Sequence, residues 1–299
     1  MSAFFRFIAA TLTVIGIGLI GQASAQARDL QEIRAEGVLR HIGTPYAHFI
    51  TGSGDGLDVE LMQGFARHLG VNYQFVDSPW NTIIADLTGH HESGGKKATL
   101  PRGDVIASGL TILPDREKLI SYSTPTFPSG VWLIAPARSG ATPIRASGSI
   151  AQDIENTKSR LNRRTTLVVD NTCLDPKLYD LEGRGLKLRR FLDSNNPIEL
   201  IPAMLRGDAE LSLLDVPDAI VGLEKWPGEI KVIGPISGPQ AMGLGFRKTS
   251  PQLLAAFNEY FAARLKDGSY LQLVRKYYPA IPQYFPDFFG QPQSTGYVR

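Results

Sequence analysis

Residues 104–116, with the sequence DVIASGLTILPDR, decide the fold of this chain. The apolar, β-branched pair at 105–106 is typical of a buried strand, and small polar or flexible residues follow it: Ser108, Gly109 and Thr111. Open α/β sheets bind their ligands at the carboxyl ends of strands. Arg116 begins the next predicted helix, and its guanidinium is suited to a bidentate bond with a carboxylate. The stretch therefore predicts a binding site for a small anionic or zwitterionic solute.

The hydrophobic pattern on both sides of this stretch predicts two α/β lobes. Strands and helices alternate before it, at 38–42, 57–69, 71–76 and 80–87, which is the order of a parallel sheet with helices on both faces. A second α/β unit is predicted between residues 166 and 214. Apolar strands at 131–136 and 242–246 connect the two units, which suggests a two-strand hinge with a ligand cleft between the lobes.

The predicted division of the chain has four parts. They are a signal peptide at 1–25, the first part of lobe 1 at 26–134, lobe 2 at 135–237, and a return segment of lobe 1 with the tail at 238–299. The signal peptide is predicted from Arg6, the apolar run 7–21 and the small residues at 23–25. We expect a soluble periplasmic protein.

The composition and charge of the chain restrict the kinds of partner that are expected. Of 299 residues, 43% are hydrophobic and 20% are charged, which is ordinary for a globular protein of about two domains. Loss of Arg6 with the signal leaves 30 basic and 29 acidic residues, and this balance favours neither nucleic acid nor an anionic membrane as partner. Cys173 is the only cysteine, so no internal disulfide is expected.

The order and spacing of several landmarks resemble the extracellular solute-binding proteins of family 3, which bind polar amino acids for ABC importers. The landmarks lie at 33–40, 46–49, 56–61, 108–116, 207–209, 214–215 and 243–248. The resemblance implies a bilobed periplasmic-binding-protein fold of type II that closes around its solute. It also implies a small-molecule ligand, an inner-membrane ABC permease as partner, a monomer, and no cofactor or metal.

In the first lobe, the resemblance assigns a role to each site residue. Tyr46 falls on the aromatic residue that stacks against the ligand, and Arg116 falls on the arginine that binds the ligand carboxylate. The segment that binds the α-carboxylate and α-amino groups is represented by Ser108, Gly109 and Thr111. Trp80 lies where a wall of the side-chain pocket is expected, and a core position is the alternative.

In the second lobe, Thr172 falls in the carboxylate-binding loop. Asn171 stands where the family has glycine, and asparagine tolerates the left-handed backbone conformation better than most residues. Asp215 falls on the carboxylate that pairs with the ligand ammonium, and a helix-capping aspartate is the alternative. Asp218 is expected to be solvated or to cap a helix. Cys173 is interpreted as a buried or partly exposed thiol, because no histidine after His91 could activate it.

The chain departs from the family pattern by an insert at 90–102. Its residues His90, His91 and Glu92 are poorly spaced for a metal, so we expect a solvated loop on the first lobe. The leading hypothesis is a binding protein without catalysis. A cyclohexadienyl-dehydratase-like enzyme, with Glu92 or His48 as the acid, is one alternative. A cell-envelope sensor related to the binding domain of lytic murein transglycosylases is the other.

Overall fold

The computed structural model describes residues 28–90, 99–192 and 199–290. The predicted signal peptide, His91 and Glu92 lie outside the described residues. The strands are β1 Val38–Gly43, β2 Asn72–Asp77, β3 Val105–Ile106, β4 Ser121–Tyr122, β5 Phe127–Ser129, β6 Val131–Pro136, β7 Thr165–Val168, β8 Lys187–Arg190, β9 Leu211–Asp215, β10 Ile230–Pro235, β11 Gln240–Met242 and β12 Gly245–Phe246.

Helices are interspersed with the strands up to residue 246, and the helices after it follow one another. They are α1 Leu30–Glu36, α2 Leu57–Leu69, α3 Ile83–Thr88, α4 Pro114–Glu117, α5 Ile150–Lys158, α6 Leu200–Leu205, α7 Val216–Lys225, α8 Pro251–Lys266, α9 Ser269–Tyr277, α10 Ile281–Tyr284 and α11 Pro286–Gly290, with 3₁₀ helices at Ser159–Leu161 and Pro176–Tyr179. Within the described ranges, no helix combines the length and the apolar character needed to cross a bilayer.

Two five-stranded sheets form the lobes. The first has the order β2-β1-β3-β12-β4, in which β1 is parallel to β2 and β3, and β12 is antiparallel to β3 and β4. The second has the order β10-β6-β9-β7-β8, with β7 parallel to β8 and β9, and β6 antiparallel to β9 and β10. The predicted α/β, bilobed fold of type II is confirmed.

The link between the lobes is the two-stranded antiparallel sheet of β5 and β11. The prediction that 131–136 and 242–246 are the connecting strands is wrong except at Met242, which ends β11, because β6 lies in the second sheet and β12 lies in the first. A short apolar strand fits equally well in a buried sheet or in a link, so its sequence does not distinguish the two. The predicted boundary after residue 134 falls inside β6 and stays a prediction.

Candidate ligand-binding site

The loops that follow β1, β2 and β3, together with helix α4, form one side of the cleft, which we call the first wall; its residues are Tyr46, Trp80, Ser108, Gly109, Thr111 and Arg116. Hydrogen bonds within the lobe hold these loops together. The Ser108 hydroxyl donates to the Thr44 carbonyl at 3.0 Å, and the Gly109 N–H donates to Asp58 Oδ2 at 2.8 Å. Ser108 is completely buried by these contacts, so it supports the wall from behind.

Gly109 is required by both conformation and space. Its φ of +58° lies in the left-handed region, which glycine adopts without steric cost. A Cβ atom at this position would lie 2.6 Å from the Phe49 ring and 2.7 Å from the Tyr46 ring. The Tyr46 ring stacks on Phe49 at a centroid distance of 5.7 Å. Gly109 therefore lets the β3 loop approach the aromatic residue that faces the cleft.

Two buried ionisable groups lie behind the first wall. Burial raises the pKa of Asp58 to about 7, although the hydrogen bond from Gly109 acts in the opposite direction. Burial also lowers the pKa of His41 to about 4. His41 Nε2 lies 2.5 Å from the Ala107 carbonyl and Nδ1 lies 2.8 Å from the Tyr73 hydroxyl, which is the arrangement of a neutral imidazole that donates to the carbonyl.

Arg116 is positioned by the wall itself. Its Nη1 donates to the Thr111 carbonyl at 3.0 Å, and the Tyr122 hydroxyl donates to the same carbonyl at 3.0 Å. The guanidinium lies 5.8 Å from the centroid of the Trp80 ring, within the range of a cation–π contact. The Trp80 ring in turn lies 5.8 Å from the Tyr46 ring. The structure thus brings together the arginine and both aromatic residues that the sequence analysis selected.

The loop after β7 and the end of β9 form the opposite side of the cleft, the second wall; its residues are Thr172, Cys173, Asp215 and Asp218. Asp215 caps helix α7, because its Oδ1 accepts from the Asp218 N–H at 3.2 Å. Its other oxygen, Oδ2, accepts a hydrogen bond from the Tyr46 hydroxyl of the first wall. Asp215 is interpreted from sequence either as a helix cap or as the partner of the ligand ammonium. The structure is compatible with both, because Oδ1 caps α7 and Oδ2 faces the cleft.

Cys173 also lies between the two walls, and sequence analysis did not assign it to the site. Its Sγ is 3.8 Å from Asp215 Oδ2, and its side chain also contacts that of Thr111. Burial, and then the neighbouring Asp215 carboxylate, raise the pKa of the Cys173 thiol. The thiol is therefore protonated at neutral pH and is a poor nucleophile. Its position next to Thr172 is the sequence signal that could have identified it.

The loop that carries Thr172 has the backbone conformation expected of a missing glycine. Asn171 has a φ of +60°, and its N–H donates to Asp175 Oδ2 at 2.8 Å. The Thr172 hydroxyl donates to the Val169 carbonyl at 2.9 Å and accepts from the Leu174 N–H at 3.0 Å. Asparagine therefore preserves the loop, and the hydroxyl of Thr172 is used within it. Its proposed contact with a ligand carboxylate stays a prediction.

The expectation that Asp218 is solvated or caps a helix is wrong. Its side chain is completely buried, one turn into α7. Burial, and then the Asp215 carboxylate, raise the pKa of Asp218 well above its usual range. The pKa of Asp215 is also raised by burial, although the hydrogen bond from Tyr46 opposes this. Two acidic side chains thus share one buried end of the cleft.

The remaining candidates lie apart from these walls. His48 Nδ1 is 2.7 Å from the Tyr277 carbonyl, where it holds the first lobe together. Arg102, at the end of the insert, donates to Asp86 Oδ2 at 2.7 Å and to the Asp77 carbonyl at 3.0 Å. Among the residues that the structure describes, no group of histidine, cysteine and acidic residues is arranged to hold a metal.

The chain forms two α/β lobes, and their polar walls face each other across a hinged cleft. This architecture is that of a solute-binding protein of the periplasmic type. The sequence profile of the bacterial extracellular solute-binding proteins, family 3, matches residues 41–280. The chain belongs to this family, as the resemblance implied.

Curated relatives fall into two groups. The L-cystine-binding protein TcyJ of Escherichia coli is 24% identical over 225 residues, which is 75% of this chain and 74% of the relative. The histidine-binding periplasmic protein of Salmonella typhimurium is 23% identical over 231 residues, 75% of this chain and 78% of the relative. The membrane-bound lytic murein transglycosylase F of Desulfosudis oleivorans is 25% identical over 227 residues. That match covers 76% of this chain but only 44% of the transglycosylase.

Solved structures share the fold. A mutant of ArgBP from T. maritima matches 84% of this chain and 99% of its own, with a TM-score of 0.68 and 24% identity. The ancestral amino acid-binding protein AncCDT-1, described as a precursor of cyclohexadienyl dehydratase, matches 83% of this chain and 98% of its own, with a TM-score of 0.65 and 23% identity.

Proposed function

We propose that the protein binds an amino acid, or a close derivative, in the cleft and delivers it to an inner-membrane ABC permease. The observation that carries this proposal is the placement of Arg116 on the first wall and Asp215 on the second. A cation and an anion on facing walls match the two charges of an α-amino acid. The predicted signal peptide and periplasmic location belong to the same proposal.

The geometry supports a specific binding mode. The ligand carboxylate binds to the guanidinium of Arg116, whose orientation is fixed by Thr111 and Trp80. The ligand ammonium binds to Asp215 Oδ2, the oxygen that accepts from Tyr46. A ligand bound in this way contacts both lobes at once. It stabilises the closed form by the difference between its affinities for the closed and open forms.

The names of similar proteins support an amino acid as the class of ligand. Proteins similar to this chain are named for binding L-cystine and histidine, and matching structures are described with bound arginine or glutamine. All of these ligands carry an α-carboxylate and an α-ammonium group, which are the two groups that Arg116 and Asp215 would bind.

The test is a thermal-shift screen of the purified protein, followed by calorimetry, with L-cystine, L-histidine, L-arginine and L-glutamine. A ligand present at 100 times its dissociation constant adds about 2.7 kcal/mol of stability. We expect at least one of these amino acids to stabilise the wild type, and to lose this effect in Arg116→Ala. No stabilisation by any of them would contradict the proposal.

The match to the lytic transglycosylase favours a second candidate, an envelope protein that senses murein fragments. This chain spans less than half of that relative, so the activity of the whole relative does not transfer. The dehydratase alternative is supported by the likeness to AncCDT-1 in fold alone. Muropeptides and prephenate therefore belong in the same screen. Stabilisation by muropeptides, or formation of phenylpyruvate from prephenate, would replace the amino-acid proposal.

A further inference from the structure

Asp218 is a buried acid that the binding mode above does not use. Both of its carboxyl oxygens are inaccessible to solvent and have no hydrogen-bond partner of good geometry in the described part of the chain, although the Tyr46 hydroxyl and the Asp215 carboxyl group lie close to them. An unpaired carboxylate in such a place is costly, because it loses its hydration without gaining a partner. Asp218 therefore needs either a proton or a cation.

The groups that face Asp218 come from several elements. Asp215 at the end of β9 and Tyr46 of the first wall act on it directly. The Cys173 thiol contacts Asp215 Oδ2, the oxygen that also accepts from the Tyr46 hydroxyl. The Tyr278 hydroxyl, at the end of α9, interacts with both Asp215 and Asp218. The neighbouring strand β6 has no ionisable residue.

The basic side chain that faces this end of the cleft, that of Arg116, has another partner. Arg116 donates to the Thr111 carbonyl. Burial also raises the pKa of Tyr46, Cys173 and Tyr278, so these three groups stay neutral near pH 7. The acids that remain are the pair itself and Asp58 behind the first wall, whose pKa burial raises to about 7; Asp58 also acts on Tyr278.

We propose that Asp218 is a second carboxyl group of the ligand site, that it shares one proton with Asp215, and that a primary ammonium group of the ligand displaces this proton on binding. This inference rests on the proposed function. Two carboxyl groups this close together hold a proton between them, because they cannot both ionise without strong repulsion. An ammonium group placed against the pair supplies the compensating charge and three N–H donors.

The exchange needs no other reactant. The proton leaves Asp218 for the buffer, the ammonium group keeps its own protons, and no covalent bond of the ligand changes. Because the ligand stabilises the deprotonated pair, its affinity rises with pH over the range in which Asp218 of the unliganded protein loses its proton. The site should therefore accept primary amines and reject N-acetylated amino acids, which carry no ammonium group.

Calorimetry in two buffers measures the released proton. The probe is whichever of L-cystine, L-histidine, L-arginine and L-glutamine binds most tightly, titrated at pH 7 in phosphate and in Tris. The difference in binding enthalpy, divided by the difference in buffer ionisation enthalpy, gives the number of protons. We expect the wild type to release between about 0.5 and 1 proton, and Asp218→Asn to release none. The matched control is Asp77→Asn, which changes an exposed aspartate on β2 and should behave as the wild type.

The outcomes separate the two proposals. Binding of an amino acid by the wild type without proton release, and with the same affinity at pH 5.5 and pH 7.5, would overturn the role of Asp218 and leave the proposed function intact. Absence of binding by all four amino acids would overturn both. If Asp218→Asn does not fold, Asp58→Asn takes its place: proton release that persists in this variant supports the acid pair as its source, and release that disappears overturns the proposal. Proton release that persists unchanged in folded Asp218→Asn would also overturn the proposal.

Discussion

The two walls of the cleft are held in different ways. The first wall is held by its own lobe, because Ser108, Gly109 and Arg116 are all fixed by partners within residues 44–122. In the second wall, Asp215 accepts from a tyrosine of the other lobe and Asp218 has no hydrogen-bond partner of good geometry in the described residues. The first wall is therefore preorganised, whereas the second depends on what faces it across the cleft.

This difference between the walls indicates which of them makes closure of the cleft depend on the charge of the ligand. Preorganised groups lose little freedom when a ligand binds. The acids of the second wall are buried together and share one proton in our proposal, so a cation that arrives between the walls replaces that proton. On this view the first wall orients the ligand and the second wall makes closure depend on the ligand's positive charge.

The largest effect is expected where the first wall is most crowded. Gly109→Ala places a methyl group against Tyr46 and Phe49 in a left-handed conformation. We expect it to lower the free energy of unfolding by about 2–4 kcal/mol, measured by urea denaturation. Gly37→Ala is the matched control, because Gly37 has a φ of +70° with nothing within 4 Å, and should cost only about 1 kcal/mol. Equal costs would show that the first wall is not tightly packed.

The next largest effect is expected on binding affinity, when the charged residue of either wall is removed. Arg116→Ala and Asp215→Ala should each weaken amino-acid binding by about 2 kcal/mol, or roughly thirtyfold, because each removes a charged hydrogen-bond partner of the ligand. Calorimetry with the amino acid found in the screen checks this. Asp215→Asn is the control for folding, since asparagine caps a helix as well as aspartate does. Unchanged affinity in both alanine variants would remove the assignment of these residues.

Tyr46→Phe tests the bond between the walls. It removes the hydroxyl that donates to Asp215, and we expect the unliganded protein to lose about 1–2 kcal/mol of stability. The closed form should also become less populated, which small-angle scattering would show as a larger radius of gyration. Tyr73→Phe removes a hydroxyl bonded to His41 within the first lobe, so it should leave the radius unchanged. A larger radius in both variants would contradict a specific role for Tyr46.

The smallest effect is expected in the loop of the second wall. Asn171 already adopts the left-handed conformation, so Asn171→Gly should change the free energy of unfolding by less than about 1 kcal/mol. Asn171→Ala should cost about 1 kcal/mol, because alanine lacks that tolerance. Urea denaturation of the two variants checks the order. A larger loss in the glycine variant would show that the asparagine side chain itself holds the wall.

Much of this architecture could be predicted from sequence. Alternation of strands and helices predicts the α/β lobes, and the polar residues after β3 indicate the first wall, because their neighbours in sequence are also their neighbours in space. Asp218 could not be predicted in this way. An acid in the first turn of a helix is ordinary on a protein surface, and only the packing of α7 shows that this one is buried. Cys173 was not assigned to the site for a related reason, because its contacts Thr111 and Asp215 are distant from it in sequence.

The strand order of the first sheet has a consequence for biogenesis. Strand β12 lies between β3 and β4, so the first sheet has a gap until residues 245–246 have been added to the chain. The second sheet contains its last strand by residue 235. When the chain emerges from its N-terminus, the lobe encoded inside the other can complete its hydrogen-bonded sheet first. The outer lobe must wait with β4 unpaired, which exposes a strand edge to aggregation. Synthesis at the ribosome therefore provides all strands of the second sheet before the first sheet has its full set.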